Sequence, residues 1–487
     1  MNWQLALQLG SSDQPLFQRI AIAIATDIER GRLRVGTRLA SSRTLARQLG
    51  INRNTVVAAY DELCAQGWIA IEPTRGAFVT NKPIAKSGLA GADGSSTLGY
   101  PERPGFDLPA DALDEDVTPG RPPGSLILLG GVPELRGAPR LPLARAYRAA
   151  LCGNGARRLL DYASPQGHIK LRTALANLMS HVRGVAAPLS AITVVRGSQQ
   201  GLYLAARALL RPGDRVAVEH LGFRPAWRAL ELGGATLVPI SVDRDGLDLD
   251  VLEAAHATHP IRAVYTTPHH QYPSTVTLSA ERRTRLLAFA RRHRIMILED
   301  DYDFDYHYEG NPVLPLAASD RTGVVIYFGT LSKTLAPGLR IGYVVAPPVV
   351  AQQLVAYRRF VDTQGDAVLE HAIATLLEDG EVQRHTRRAL GMYRRRRDAL
   401  CEALHQRLPQ LVAPPPNGGM AVWASAPGID SDAWVKRGAA AGVLFQAGSR
   451  FRFDGQPFHH LRLGFAACNE VELVEAVDRM TKALSPK

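Results

Sequence analysis

The sequence predicts an α/β protein: a large domain on a mainly parallel sheet, preceded by a small α+β domain of helices and a hairpin. Three observations predict this. From Leu126 onward, short runs of β-formers alternate with amphipathic stretches at helical spacing, as a parallel sheet with crossover helices requires. Before Thr80 the pattern is three helices and then two short strands. Between them, residues 82–125 are rich in Gly, Pro, Ser and Asp without sustained periodicity, so they read as a flexible linker between domains 1–81 and 126–487. At 487 residues the chain is too long for a single core.

In the small domain, "PLFQRIAIAIATDIERG" has helical apolar spacing and stops at Gly31. "SSRTLARQLGI" offers Ser41 or Ser42 as an N-cap and turns at Gly50. "NRNTVVAAYDELCAQG" is capped by Asn52, buries Val56, Tyr60 and Leu63 on one face, and ends at Gly67. "WIAIEPTRGAFVT" forms two strands about a Thr-Arg-Gly turn. This order is the layout of a winged helix-turn-helix. Arg53, Asn54 and Thr55 occupy the first turn of the third helix, the part that enters a major groove. Arg43 starts the second helix near a backbone phosphate, and Arg75 tips the wing. One exposed arginine is usually just solvated; the ordered set is what points to DNA.

The stretch "SSRTLARQLGINRNTVVAAYDELCAQGWI" with "RGAFV" resembles the GntR-type winged-helix domain. The resemblance implies that Arg43, Arg53, Thr55 and the wing near Gly76 meet double-stranded promoter DNA. Ala40 stands where these domains usually carry proline.

In the large domain several β runs end in polar or glycine-containing loops, where ligands of such folds gather. "AITVV" leads to "RGSQQGLYLAARALL", "RVAVE" to "HLGFRPAW", "RAVYTT" to "PHHQYP", "IMIL" to "EDDYDFDY" and "VVIYF" to "GTLSK". The Gly197-Ser198-Gln199 turn opens a helix and can aim free amides at a phosphate. Asp300 can stay ionised against a protonated ring nitrogen, and Tyr302 can hydrogen-bond a ring phenolate. An acidic cluster of this kind is otherwise a solvated loop or a metal site; the absence of His or Cys companions at ligand spacing argues against metal. Lys333 sits where an amine kept partly neutral by burial and nearby cations could attack an aldehyde, and Thr330, Ser332 and Arg340 could hold the phosphate of the same cofactor.

With "YASPQGHIKLR", "TPHHQYPS", "SKTLAPGLRIGY" and "HLRLGFA", this region resembles the fold-type I, aspartate-aminotransferase-like enzymes that use pyridoxal 5'-phosphate. The resemblance implies that Lys333 forms the internal aldimine, Asp300 pairs with the ring nitrogen and Tyr302 binds the ring oxygen. It further implies that Ser198, Gln199, Thr330, Ser332 and Arg340 hold the phosphate and Phe223 stacks on the ring. Arg462 would clamp a carboxylate, and Tyr162 would reach a neighbouring subunit's phosphate in a homodimer. Winged helix, linker and aminotransferase-like domain together resemble the MocR-type branch of GntR regulators. Phe223 in place of tyrosine, Thr275 of glycine, Leu278 of methionine and "DFDYHY" of "DSEFRY" depart from that branch around the place of a second ligand.

The function expected is a transcriptional regulator that senses a small amine, an amino acid or the cofactor itself; the alternative is an aminotransferase carrying a DNA-binding head. No apolar run approaches the roughly 20 residues of a membrane helix, and the first residues lack the pattern of a secretory signal, so a cytoplasmic protein is expected. The four cysteines are far apart and read as packed free thiols. "YRRRRDAL", from Tyr393, reads as a solvated or dimer-pairing helix face in preference to a DNA contact.

Overall fold

The computed structural model describes residues 15–81, 105–107, 122–310 and 312–484. The chain divides into two compact units, Met1–Thr118 and Pro119–Lys487. Most of the expected linker lies outside the described residues.

In the first unit the three helices are α1 (Leu16–Glu29), α2 (Ser42–Leu49) and α3 (Arg53–Ala65). Ser41, not Ser42, caps α2 by accepting from Thr44 N at 3.2 Å, and Asn52 caps α3 by accepting from Asn54 N at 2.8 Å. Gly50 ends α2 in the left-handed region at φ 64°, a conformation glycine adopts at little cost. The wing strands β1 (Ile69–Glu72) and β2 (Gly76–Val79) pair antiparallel, and Arg38 bridges to Phe78 alongside them. Val56, Tyr60 and Leu63 are buried with Ile20, Ile24, Leu45 and Trp68 in one core. Tyr60 also donates its hydroxyl to Ala40 O at 2.7 Å, which ties α3 to the segment entering α2.

The second unit holds a seven-stranded sheet. In chain order its strands are β3 (Ile192–Val195), β4 (Arg215–Glu219), β5 (Thr236–Ile240), β6 (Ala263–Thr266), β7 (Met296–Asp301), β8 (Val325–Thr330) and β9 (Gly342–Val345). Their order across the sheet is β3-β9-β8-β7-β6-β4-β5. β9 runs antiparallel to both neighbours; the other pairs are parallel. Strands such as β3, β6 and β9 are buried along their whole length, which is why they read as continuous apolar runs instead of alternating ones. A smaller antiparallel sheet near the C-terminus orders β10 (Ala421–Ser425), β12 (His460–Gly464) and β11 (Gln446–Ala447). Among the described residues no helix is long and apolar enough to cross a membrane.

Two expectations change. The arginine run lies on the helix Glu381–Arg407 and only half of it is solvated: Arg394 and Arg395 are exposed. Arg396 and Arg397 are buried, Arg396 against Glu134 at 2.8 Å and Arg397 against Glu309 at 3.0 Å. Arg394 pairs with Glu309 and Arg395 with Glu470. A buried guanidinium needs a carboxylate, and the partners come from distant segments that periodicity does not reveal. The cysteines are free, but Cys64 and Cys152 are exposed instead of packed.

Leu45 is fully buried in the small core of the first unit. Leu45→Ala should destabilise that unit by about 2–5 kcal/mol. Calorimetry of the full chain should show its transition lowered and that of the larger unit unchanged.

Candidate functional site

The parallel strands deliver their carboxyl ends to one edge of the sheet, and the sequence-predicted residues line a cleft there of about 190 Å³. Ser198 and Gln199 arrive after β3, Phe223 after β4, Thr267 and Tyr272 after β6, Asp300 and Tyr302 at the end of β7, and Thr330, Ser332 and Lys333 at the end of β8. Arg340, just before the reversed strand β9, reaches the same edge.

Lys333 Nζ donates to Gly131 O at 2.7 Å. Burial, reinforced by the positive charges of Arg462 and Arg340, pulls its pKa down to about 8 against the opposing pull of Asp303 and Asp300. A lysine so tuned is neutral in a sizeable fraction near pH 8, which an attacking amine needs. Asp300 was expected just past its strand; the strand instead continues through Glu299, Asp300 and Asp301, all buried. Each finds a donor that makes burial tolerable: Glu299 the Leu316 and Ala317 amides, Asp300 the Tyr265 hydroxyl at 2.9 Å, Asp301 the Tyr327 hydroxyl at 2.8 Å. Burial pushes Asp300 up to about 7.

These residues fit pyridoxal phosphate. Asp300 Oδ1 is buried without a hydrogen-bond partner on a cleft-lining residue, as a carboxylate awaiting a protonated ring nitrogen would be. The helix α4 (Ser198–Leu209) begins after Gly197, whose φ of 80° and lack of a side chain let Arg340 approach; a Cβ there would stand 2.8 Å from the guanidinium. Ser198, Thr330, Ser332 and Arg340 line the same cleft beside the start of α4, where free helix amides favour an anion. Arg340 donates to Arg196 O at 2.7 Å, and Ser332 N to Thr330 Oγ1 at 3.1 Å. The amide of Gln199 donates to Pro225 O, which leaves Gln199 Oε1 without a partner.

Other predicted residues lie differently. Tyr302 lines the cleft, but its hydroxyl donates to His270 O at 2.8 Å. The ring of Phe223 meets Tyr272 edge-on at 5.2 Å. Arg462, on β12, is fully buried and lies outside the lining of the cleft; its guanidinium covers the Tyr272 ring at 4.1 Å and donates to Pro273 O at 3.0 Å. Tyr162 is 88% exposed and away from the cleft. Thr275, in place of glycine, holds φ 63° and is braced by its backbone N–H, which donates to Gln271 O at 2.6 Å.

Sequence reasoning missed Glu219 and the Gly130-Gly131 pair. Glu219 is buried and accepts from Thr266 Oγ1, Thr267 N, Thr267 Oγ1 and Gln271 Nε2, so it anchors the loop that carries Tyr272. Gly130 and Gly131 let backbone approach Arg462 and Lys333; a Cβ on Gly131 would lie 3.1 Å from Nζ. "LLGG" gave no signal beyond being a turn.

In the first unit Arg43, Arg53, Asn54 and Arg75 are exposed, with Thr55 and Gly76 half-buried. Arg53 Nε donates to Ser42 Oγ at 3.3 Å, which links the starts of α2 and α3. Arg75 pairs with Glu72 at 2.5 Å and leans over Phe78. Exposed Arg38 stands beside Gly76 on the wing, a basic side chain that sequence reading passed over.

Because the Lys333 ammonium must lose a proton to act, the rate at which the cofactor-free protein captures pyridoxal phosphate should rise as pH passes through about 8 and then level off. Stopped-flow absorbance across pH checks this; a midpoint near the ordinary lysine value would show that the pocket does not tune the amine.

Comparison with known proteins agrees with this geometry. The family model "Aminotransferase class I and II" matches residues 134–480, and "Bacterial regulatory proteins, gntR family" matches residues 16–79. The chain is 30% identical over 481 residues to the probable rhizopine catabolism regulatory protein MocR of Rhizobium meliloti, covering 97% of this chain and 94% of that protein. It is 31% identical over 486 residues to the HTH-type transcriptional regulator TauR of Rhodobacter capsulatus, covering 96% of each. Among solved structures it is similar to LysN, the alpha-aminoadipate aminotransferase of Thermus thermophilus complexed with N-(5'-phosphopyridoxyl)-L-leucine. That likeness has a TM-score of 0.69 and 28% identity over 74% of this chain and 92% of that one. With a winged helix-turn-helix ahead of a fold-type I domain whose cofactor is pyridoxal 5'-phosphate, the chain belongs to the MocR-type branch of the GntR family of transcriptional regulators.

Proposed function

We propose that residues 1–81 bind promoter DNA, that residues 82–125 are a flexible linker, and that the 126–487 domain senses an amino compound, or the cofactor itself, at Lys333. The observation that carries this reading is the hydrogen bond from Lys333 Nζ to Gly131 O. Gly131 lies on the segment that leads into the large domain from the linker side, next to the parallel pairing of Leu126–Ile127 with Val443–Leu444. Bound pyridoxal phosphate supplies an aldehyde open to amines and an electron-withdrawing ring. Covalent engagement of Lys333 by the cofactor would take away N–H donors and weaken its bond to Gly131, whereas a Lys333 set free by an outside amine would be able to donate to Gly131 O as it does here. The entry segment therefore has two states that an amine biases, and regulation requires that they differ in DNA affinity.

In this reading Asp300 Oδ1 holds the ring nitrogen's proton, and Ser198, Gln199, Thr330, Ser332 and Arg340 take the phosphate. Phe223 meets the ring face, and Tyr302 meets the ring oxygen after giving up its bond to His270. Arg462 receives an effector carboxylate once Tyr272 moves aside. Arg53, Asn54 and Thr55 read bases, while Arg43, Arg75 and the wing at Gly76 set the register. The fully presented Tyr162 and the exposed Phe360 suit a homodimer interface, and a DNA-binding role places the protein in the cytoplasm. The intact Lys333 and Asp300 also suit a working aminotransferase. That second reading requires amino-group transfer between two substrates, at rates near the common enzyme value of about 10 per second.

Fluorescence anisotropy with promoter DNA, titrated with candidate amines, tests the proposal. One amine should change the DNA affinity of the holo-protein, or the cofactor that of the cofactor-free protein, roughly 5- to 150-fold; Lys333→Ala should abolish the change, and Gly131→Ala should blunt it. Arg53→Ala should lose affinity with or without effector. Turnover without any change in DNA affinity would favour the enzyme.

A further inference from the structure

Behind the wall of the cleft three histidines come together. His269 and His270 follow β6, and His307 follows β7. One ring nitrogen of each lies within 4.8 Å of the other two. His269 and His270 are buried, and His307 is half-buried. His269 Nδ1, His270 Nε2 and His307 Nδ1 are all shielded from solvent without a hydrogen-bond partner. A buried ring nitrogen without a partner is costly, and three of them on adjoining rings call for a common partner.

We propose that His269, His270 and His307 form a binding site for a divalent transition metal of the zinc class. Three imidazoles with a fourth position left to water are a ligand set that zinc accepts, whereas magnesium and calcium prefer oxygen. His270 already has the supporting contact such a ligand needs. Its Nδ1 lies 2.8 Å from Asp303 Oδ1, a bond that places the proton on Nδ1 and leaves the Nε2 lone pair for the metal. His269 is buried beside it, its ring 4.7 Å from that of His270. Arg183 and Arg283 oppose a cation here. Arg183 is paired with Asp305 at 2.9 Å, and the second oxygen of Asp303 has no partner, so the local field is partly offset.

The site would clamp two segments that carry cleft residues. Tyr272 follows His270 closely, Tyr302 precedes His307, and the Tyr302 hydroxyl is bonded to the His270 carbonyl. Sequence spacing gave the opposite expectation, because His307 is separated from the histidine pair by a helix and a strand.

The test uses full-length, tag-free holo-protein, treated with chelator and then titrated with Zn²⁺ or Co²⁺. The expected result is one metal per chain by elemental analysis, visible d–d bands with Co²⁺, and an affinity lowered roughly ten- to hundred-fold or more in His307→Ala. His307 sits in a half-buried loop, and the cofactor's absorption band reports whether the variant folds; His307→Gln replaces it if the band is lost. Failure to take up either metal, or the same uptake and spectrum in the variants as in the wild type, would overturn the proposal.

Discussion

The site depends on one constraint of the sheet: β3, β4, β6, β7 and β8 run in the same direction. Because they do, the residues that follow them converge on one edge although they are far apart in the chain. β9 runs the other way, so the residue before it, Arg340, is brought to that edge. Reversing any one of the parallel strands would remove its contribution. The strands can run this way because both sheet faces are covered by helices, which the fully buried apolar runs record.

Two opposed charges share that edge, and each is tuned by the same burial. Desolvation lowers Lys333 to about 8 and raises Asp300 to about 7. A cationic ring nitrogen beside Asp300 would return the carboxylate to its ionised form, and covalent engagement would replace the lysine's ammonium with a less basic nitrogen. The cofactor thus answers both costs of burying these groups. The loop carrying Tyr272 is held independently by Glu219, so the cleft wall does not rest on the cofactor alone.

The legible part of the fold was the part with local signals. Caps, turn glycines and helix periodicity placed the winged helix, with Ser41 and Asn52 as its capping residues. Apolar runs ending in polar loops placed five strands of the large sheet and the Ser198-Gln199, Asp300-Tyr302 and Thr330–Lys333 parts of the cleft. What escaped were contacts across long stretches of chain. β5 and the strands β10 and β11 of the small C-terminal sheet carry no chemistry at their ends to mark them. The buried pairs of Arg396 and Arg397, the anchoring of the loop by Glu219, and the approach of Gly131 to Lys333 all need the folded chain to become visible. Arg462 stood out in the sequence by its place in "HLRLGFA", but its burial under Tyr272 was not readable there.

The most direct test of the account is to reduce the holo-protein with borohydride and map the phosphopyridoxyl group by peptide mass spectrometry. The group is expected on Lys333, in the peptide following β8, and on no other lysine. A label on a different lysine, or none at all, would contradict the assignment of this edge of the sheet as the cofactor site.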